Sequence, residues 1–359
     1  MAIFSIDDLV KLEKEGRIAF ENRLEFQPFS LNIRIGKLYR EALACYAHQG
    51  SITLPWDDEP LGQEEFKDKC LQEVDASKGV VITPGERYFY EPVEKLFLGR
   101  GLFGIVSSRS TYARMGLESK CQDESMESRG MRNDRWCTPL IQLTTNGTKV
   151  EVAKGDPVAQ VMISDGQTRL LPPQVLELVD HGELVVRYMD QAVPYDLLPM
   201  IHGVVLTMDK KIKVYNGAVL RAGTAAEGGF DTITIPKKGL ILPDAMFFLS
   251  VCEQELEIPD HLFGEVFHDD STIRYIKHGL PGEGYTPPRI RCHPNAPYIG
   301  PRSIFKGKIA FENLTLGCQK ISPGMKQSEI YFGYLSSTIK DLKKSRYHGQ
   351  TEACIKGDQ

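Results

Sequence analysis

The stretch SSRSTYARMGL, residues 107–117, directly follows the apolar strand pattern LFGIV at 102–106. Two arginines and two small hydroxyl side chains stand close together in it: Arg109, Ser110, Thr111 and Arg114. Guanidinium groups, hydroxyls and the backbone N–H groups of a tight turn are all donors that bind phosphate oxygens. The pattern therefore predicts a local site for a polyanion at the end of a strand. A solvated turn with surface arginines is the alternative.

The composition narrows the class of protein. The chain has 359 residues, of which 42% are hydrophobic and 25% are charged, and its formal net charge is −5. This length favours two domains with substantial cores. The negative charge argues against bulk nucleic-acid binding, and no apolar run is long enough for a membrane span. The acidic N-terminus does not resemble a signal peptide and no cysteines have CxxC spacing, so we expect a cytoplasmic protein with reduced thiols.

Short apolar runs separated by turn residues recur along the chain, as in SLNIRIGKLY (30–39) and GVVITP (79–84). Together with 32 glycines and 21 prolines, they predict an all-β sandwich or clip made of many short strands. Helices are expected at three places: residues 6–15, 64–74 and 336–346. Ser5, in a capping box with Asp8, and Ser337 are the expected N-caps. The last dozen residues look loose and polar.

The sequence also repeats itself once. Five pairs of segments follow in the same order in both halves: GKLYR (36–40) with IKVYN (212–216), ITPGERYFY (82–90) with ILPDAMFFL (241–249), LFGIV (102–106) with LFGEV (262–266), RMGL (114–117) with KHGL (277–280), and VAKGDPVAQVMIS (152–164) with ISPGMKQSEIYFG (321–333). Ordered matches of this kind indicate a duplicated domain. We predict a first domain with an N-terminal helix over residues 1–185, and a second domain with a C-terminal helix and tail over 186–359.

Four segments of the first half resemble the motifs of the dCTP deaminase and dUTPase superfamily. They are SLNIRIG (30–36), RSTYARMGL (109–117), GMRNDRW (130–136) and GDPVAQVMI (155–163), in the order of the family. The resemblance implies two tandem dUTPase-like β-clip (distorted jelly-roll) domains with a few short helices, as in a duplicated, two-domain dCTP deaminase. Active sites in this family lie between neighbouring domains and bind a deoxynucleoside triphosphate with Mg²⁺.

The two halves depart from the family pattern in opposite ways. In the deaminases a glutamate follows an apolar strand after the third motif, but the first half has Gln142 or Leu143 there, and neither is a general base. The second half, GKIAFENLT, has Glu312 at that position. It has lost the phosphate motif, however, and Lys277 stands where Arg114 stands in the first half. The resemblance therefore implies a composite site, in which the first half holds the phosphates and the second supplies Glu312.

This leads to the hypothesis that dCTP is hydrolysed to dUTP and ammonia. Glu312 would take a proton from water and deliver one to the leaving ammonia; a solvent-facing strand carboxylate is the alternative. The expected substrate contacts are Arg109, Ser110, Thr111, Arg114 and Gln160, and the further candidates are Arg132, Asp134 and Lys277. For Gln160 a hydrogen bond within the sheet is the alternative, and for Arg132 it is a surface salt bridge.

The resemblance implies Mg²⁺ bound through the triphosphate. It implies no zinc, because the lone His-x-Glu at 181–183 has no Cys-x-x-Cys after it. The expected partners are small nucleotides (dCTP, dUTP and also dTTP), without nucleic acid or membrane, in a homo-oligomer that the resemblance makes a homotrimer. Two other hypotheses stay open: a dUTP pyrophosphatase or bifunctional enzyme, and a non-catalytic nucleotide-binding regulator. Asn133 at the position of the dUTPase aspartate, with Asp134 one step on, weakens the first of these.

Overall fold

The protein is built mainly from short strands, as the computed structural model shows. The structure describes residues 2–22, 26–42, 46–48, 51–53, 63–121, 136, 138–166, 170–188, 191–192, 204–222, 226–267, 290–293, 298–301, 305–339, 350–351 and 353. The predicted all-β architecture is confirmed. None of the described helices combines the length and the apolarity needed to cross a membrane.

Up to residue 180 the elements are α1 (Ile6–Lys14), β1 (Ile18–Glu21), β2 (Phe26–Gln27), β3 (Ser30–Ile33), β4 (Ile35–Glu41), β5 (Tyr46–His48), β6 (Ser51–Thr53), α2 (Gln63–Cys70), β7 (Leu71–Val74), β8 (Val80–Ile82), β9 (Tyr88–Pro92), β10 (Lys95–Leu98), β11 (Phe103–Ser108), α3 (Ser110–Arg114), β12 (Leu117–Cys121), β13 (Ile141–Thr145), β14 (Lys149–Val152), β15 (Ala159–Ser164) and α4 (Pro172–Asp180).

The elements that follow are β16 (Val185–Tyr188), β17 (Gln191–Ala192), β18 (Val204–Tyr215), β19 (Val219–Arg221), a 3₁₀ turn (Ala226–Gly229), β20 (Phe230–Thr234), β21 (Leu240–Leu242), β22 (Phe247–Glu257), β23 (Leu262–Phe267), β24 (Ile290–His293), β25 (Tyr298–Ile299), β26 (Lys306–Thr315), β27 (Gln319–Ile321) and β28 (Lys326–Tyr334).

The helix predictions are confirmed in part. Helix α1 begins at Ile6, but the Ser5 hydroxyl donates to Asp8 Oδ2 (3.1 Å) instead of capping the helix backbone. Helix α2 ends at Cys70 because residues 71–74 pair with β4 as strand β7. Residues 336–339 are not helical, and the Ser337 hydroxyl is hydrogen-bonded to that of Ser5 (2.6 Å); the rest of the third predicted helix, residues 340–346, lies outside the described residues.

The duplication predicted from the sequence is visible in the strand pairing. The order β4–β9–β13–β12 in the first half recurs as β18–β22–β26–β24 in the second, and the antiparallel pair β8–β14 recurs as β21–β27. Strands β11 and β15 pair with the same register as β23 and β28: Phe103 faces Ser164 as Phe263 faces Gly333. The KHGL segment lies outside the described residues. The domain boundary at 185/186 stays a prediction.

The two halves pack closely against each other. Strand β14 of the first half pairs in parallel with β19 of the second. Near the N-terminus, Ile3 forms one β-bridge to Ser164, the last residue of β15, and another to Leu335, which directly follows β28. One apolar cluster contains Tyr112 of α3 together with Leu249 of β22. The site region is therefore part of a continuous core.

Candidate functional site

The motif that carries Arg109 folds as a strand, a one-turn helix and a second strand. Arg109 is extended (φ −69°, ψ 142°) and directly precedes α3, and the chain reverses at Gly116 (φ +88°). A Cβ atom on Gly116 would lie 2.5 Å from Thr148 Oγ1, so both the backbone conformation and the space require glycine. The Thr148 hydroxyl donates to Met115 O (2.6 Å), which holds the turn against the β13–β14 connection.

The predicted phosphate-binding side chains lie around α3 in different environments. The backbone N–H of Arg109 donates to Val158 O (3.0 Å), and its Nη1 donates to Pro157 O (3.4 Å). Ser110 is exposed at the start of the helix, whereas Thr111 is buried. Arg109, in the motif at 109–117, is thus hydrogen-bonded directly to the motif at 155–163.

Arg114 lies at the contact between the halves. Its side chain is buried, and its Nη1 donates to Gln350 Oε1 (2.6 Å). Gln350 in turn donates from Nε2 to Lys308 O (2.8 Å) and accepts from Lys308 N–H (2.9 Å) on β26. A chain of hydrogen bonds therefore runs from α3 of the first half through the C-terminal segment to β26 of the second.

Glu312 lies on the same strand, β26, and is only 4% exposed. It pairs with Leu249 of β22, and side chains alternate along a strand, so it shares a face with Ala310 and Leu314. Both of these neighbours pack against the apolar cluster that includes Tyr112 of α3, and α3 contacts β26. Glu312 thus lies on the strand face turned toward the first half, and the solvent-facing alternative is wrong.

The position equivalent to Glu312 in the first half is Gln142. Each residue stands five positions before a turn glycine, Gly147 or Gly317, and both glycines have φ +81°. This resolves the choice between Gln142 and Leu143: Leu143 is fully buried on the inner face of the sheet. The first half therefore presents an amide where the second presents a carboxylate.

Comparison with known proteins finds a matching family model and a similar fold. Residues 3–166 match a family model described as dCTP deaminase-like. The whole fold is similar to the crystal structure of 2'-deoxycytidine 5'-triphosphate deaminase from Agrobacterium tumefaciens, with a TM-score of 0.71 and 17% sequence identity over 94% of this chain and 99% of that chain. No curated protein sequence matches the chain.

Within the part of the chain that matches this family model, the side chain of Gln160 is hydrogen-bonded to neighbouring strands. Its Oε1 accepts from Ser30 Oγ (3.1 Å), and its Nε2 donates to Ser107 Oγ (3.2 Å). These contacts match the hydrogen-bond alternative given above for Gln160. Arg132, Asp134 and Lys277 lie outside the described residues, so their roles stay predictions.

Sequence reasoning missed Gln350. The tail around it looked loose and polar, yet Gln350 is buried, and Ala353 belongs to the apolar cluster shared by the two halves. No motif or spacing in the tail signals this packing. One indirect sign is Gly307, where a Cβ atom would lie 2.6 Å from Gln350 O at φ +135°.

The described residues contain no group of three or more His, Cys, Asp or Glu side chains placed to hold a metal ion. The donors around α3 are hydroxyl, guanidinium and backbone N–H groups, which suit phosphate oxygens better than a bare cation. A magnesium ion held by the triphosphate itself is compatible with this donor set.

Proposed function

We propose that the protein deaminates dCTP to dUTP and ammonia at a site between its two halves. The observation that carries this proposal is the placement of Glu312, which is buried on the face of β26 that packs against the phosphate-motif side of the first half. A carboxylate held there supports general acid–base chemistry on a nucleotide bound by α3. The family model that matches residues 3–166 supports the same substrate class.

In this proposal the triphosphate and the base occupy opposite ends of the site. Arg109, Ser110, Thr111 and Arg114 bind the phosphate oxygens, and Mg²⁺ is carried on the phosphates. Arg114 is connected to β26 near Lys308, and roughly 13 Å of extended strand separates Lys308 from Glu312. This separation lets one group of residues bind the phosphate tail while Glu312 serves the ring.

The proposed reaction uses one water molecule and one carboxylate. Glu312 takes a proton from water as the oxygen forms a bond to C4 of the cytosine ring. The proton is then delivered to the exocyclic nitrogen, the C4–N bond breaks, and ammonia leaves. The ring keeps the oxygen, so the product is dUTP and the carboxylate is regenerated unprotonated. Burial of the strand face limits competition from bulk water.

The test is to incubate the full chain with dCTP and Mg²⁺ and to measure ammonia, dUTP and pyrophosphate separately. We expect ammonia and dUTP in equal amounts, and a much lower rate with dCMP because the phosphate contacts are lost. Pyrophosphate in step with ammonia indicates the bifunctional alternative. Tight nucleotide binding without any product indicates the regulator. Release of neither product, with no binding, contradicts the proposal as a whole.

A further inference from the structure

A buried amide holds the strand that carries Glu312 from its opposite face. Asn313 is the next residue on β26, is only 1% exposed, and leaves the strand on the face opposite to that of Glu312. Its Nδ2 lies within hydrogen-bond distance of three acceptors: Ser250 Oγ (2.8 Å), Phe311 O (3.2 Å) and Phe248 O (3.4 Å). Ser250 Oγ also accepts from Gln327 Nε2 on β28. Strands β22, β26 and β28 therefore meet in one buried polar cluster, which consists of Asn313, Ser250 and Gln327.

The hydrogen-bond partners of this amide lie around the position of Glu312. In the pairing of β22 with β26, Glu312 faces Leu249. Phe248 and Ser250 are the two neighbours of Leu249 in the chain. Phe311 directly precedes Glu312. The amide thus bonds on both sides of the Leu249–Glu312 pair, and a shift of β26 along β22 would break its bonds to β22.

Stability alone does not account for this polar cluster. In the first half, Leu143 follows Gln142 as Asn313 follows Glu312, and Leu143 is fully buried, so the sheet accepts an apolar side chain at this position. Among the described residues, Asn313 Oδ1 and Gln327 Oε1 are buried without a hydrogen-bond partner. An unpaired buried acceptor lowers stability. What the amide adds over a leucine is a set of directed bonds that fix one strand against another.

We propose that Asn313 is a positioning residue, which holds β26 in place so that the Glu312 carboxylate meets water and the substrate ring in the geometry that proton transfer needs. The inference rests on the proposed function, in which Glu312 transfers the protons. Asn313 acts through Glu312 and does not contact the nucleotide, because it lies on the other face of the strand. A small displacement of a catalytic group lowers the rate of the chemical step and leaves distant binding contacts intact.

The variant that tests this is Asn313→Leu, which introduces the side chain of the first half and removes the bonds of the amide. A displacement of about 1 Å in an active site costs about a hundredfold in rate, and a strand that keeps its backbone pairing should move less, so we expect kcat to fall about tenfold. The KM for dCTP should stay within about twofold, because the proposed phosphate contacts belong to the first half.

Two further measurements separate positioning from a loss of folded protein. In a Glu312→Gln background, the number of dCTP molecules bound per chain should be the same with and without Asn313→Leu. A smaller folded fraction would lower that number. The melting temperature of Asn313→Leu should stay the same or rise, since the leucine removes an unpaired buried amide oxygen.

The matched control is Thr315→Val, two residues further along the same strand face. Thr315 is also fully buried, and its hydroxyl donates to Pro243 O (2.6 Å) and accepts from Met246 N–H (2.8 Å). These bonds hold the end of β26 to the connection between β21 and β22, outside the Leu249–Glu312 pair. Thr315→Val should lower the melting temperature and leave kcat within about twofold. A purely structural role for Asn313 predicts an unchanged kcat in both variants.

Parallel assays separate the positioning role from the proposed function. If the unmodified chain releases no ammonia from dCTP, the proposed function fails and the positioning role fails with it. If the chain is active and kcat falls in Glu312→Gln but not in Asn313→Leu, only the positioning role is wrong. A rise in KM with an unchanged kcat overturns it as well, because the cluster would then serve binding.

A second variant decides the question if Asn313→Leu does not fold. Ser250→Ala removes the oxygen that accepts from both amides, and the change makes the side chain smaller. We expect kcat to fall several-fold with the KM unchanged, and an unchanged kcat rejects the positioning role.

Discussion

The outer faces of β13 and β26 are equivalent in the duplicated fold but are covered in different ways. In the first half, Gln142 pairs with Phe89, and α2 covers this face: Phe66 is fully buried and its ring lies edge-on to Phe89 at 5.1 Å. In the second half, Glu312 pairs with Leu249, and the covering elements belong to the other half of the chain. The same strand arrangement is therefore covered by a helix of its own half at β13 and forms an interface with the other half at β26.

The polar and charged groups near the two faces also differ in whether their partners belong to the same half of the chain. Beside the α2-covered face, Lys67 forms an ion pair with Glu91 (2.5 Å), and the Tyr39 hydroxyl donates to the same carboxylate (3.1 Å), so all three groups belong to the first half. Beside the Glu312 face, Arg114 reaches across the boundary to Gln350. Duplication supplied two positions for a site, and the elements packed on them determine which one faces a partner half.

The largest expected effect comes from changing the residue that distinguishes the two faces. Glu312→Gln makes the second half resemble the first and removes the group that transfers protons in the proposed reaction. General acid–base groups contribute about a hundredfold to ten-thousandfold, so we expect kcat for ammonia release to fall by about a thousandfold. Binding of dCTP should change little, because the phosphate contacts are untouched. Steady-state assays and a dCTP titration measure both.

The reverse substitution, Gln142→Glu, is the control. The carboxylate it adds lies under α2, away from the boundary between the halves, so the deamination rate should stay within about twofold. Combining both changes should not restore activity. If Glu312→Gln deaminates dCTP at the parent rate, the composite mechanism is wrong.

A smaller effect is expected at the two equivalent turn glycines. Both have φ +81°, so alanine costs about 1 kcal/mol of stability at either position. A Cβ atom at Gly147 would also lie 3.1 Å from Leu314 Cδ1, across the boundary between the halves, whereas the nearest atom at Gly317 is 3.6 Å away. We expect Gly147→Ala to lower the free energy of unfolding by about 2 kcal/mol and Gly317→Ala by about 1 kcal/mol.

Chemical denaturation of the two alanine variants measures this difference in the free energy of unfolding. The activity assay then tests whether the same substitutions affect deamination. Leu314 lies on the same strand face as Glu312, so Gly147→Ala should lower kcat/KM several-fold while Gly317→Ala leaves it unchanged. Equal losses of stability, with equal activity, would mean that the boundary between the halves adjusts freely around Leu314.

Local patterns in the sequence predicted a large part of the fold. Strand-length apolar runs between glycine and proline turns indicated the all-β class, and ordered repeats indicated the duplication. The helix at Ile6 was predicted from the capping-box pattern of Ser5 and Asp8, although the Ser5 hydroxyl does not cap the helix backbone. The residues at 107–117 themselves indicated a polyanion site, whereas Glu312 was found by resemblance to a family whose sites are shared between domains. Spacing alone left the orientation of the Glu312 side chain open.

The remaining features depend on tertiary contacts that local patterns do not encode. Residues 71–74 favour a helix by composition but pair with β4, because the sheet edge offers them hydrogen bonds. Gln350 carries no motif; it acquires its position from the space that Gly307 leaves on β26. Likewise, nothing in the sequence shows that α2 covers Gln142. Each of these three features is determined by contacts between residues that are distant in the sequence.

The smallest expected effect concerns the ionisable groups beside the α2-covered face. Burial is the largest cause and the negative charge of Glu91 the second of a rise in the pKa of Tyr39 from 10.0 to about 12. A pKa that is higher in the folded than in the unfolded chain gives stability that is complete below pH 10 and is lost as the pH rises toward 12. Tyr39→Phe should therefore flatten the alkaline fall in the free energy of unfolding, by at most about 1.4 kcal/mol per pH unit. Denaturant titrations of both proteins between pH 8 and pH 12 (about the range set by these pKa values) give the slopes, and parallel curves would show that Tyr39 titrates normally in the folded chain.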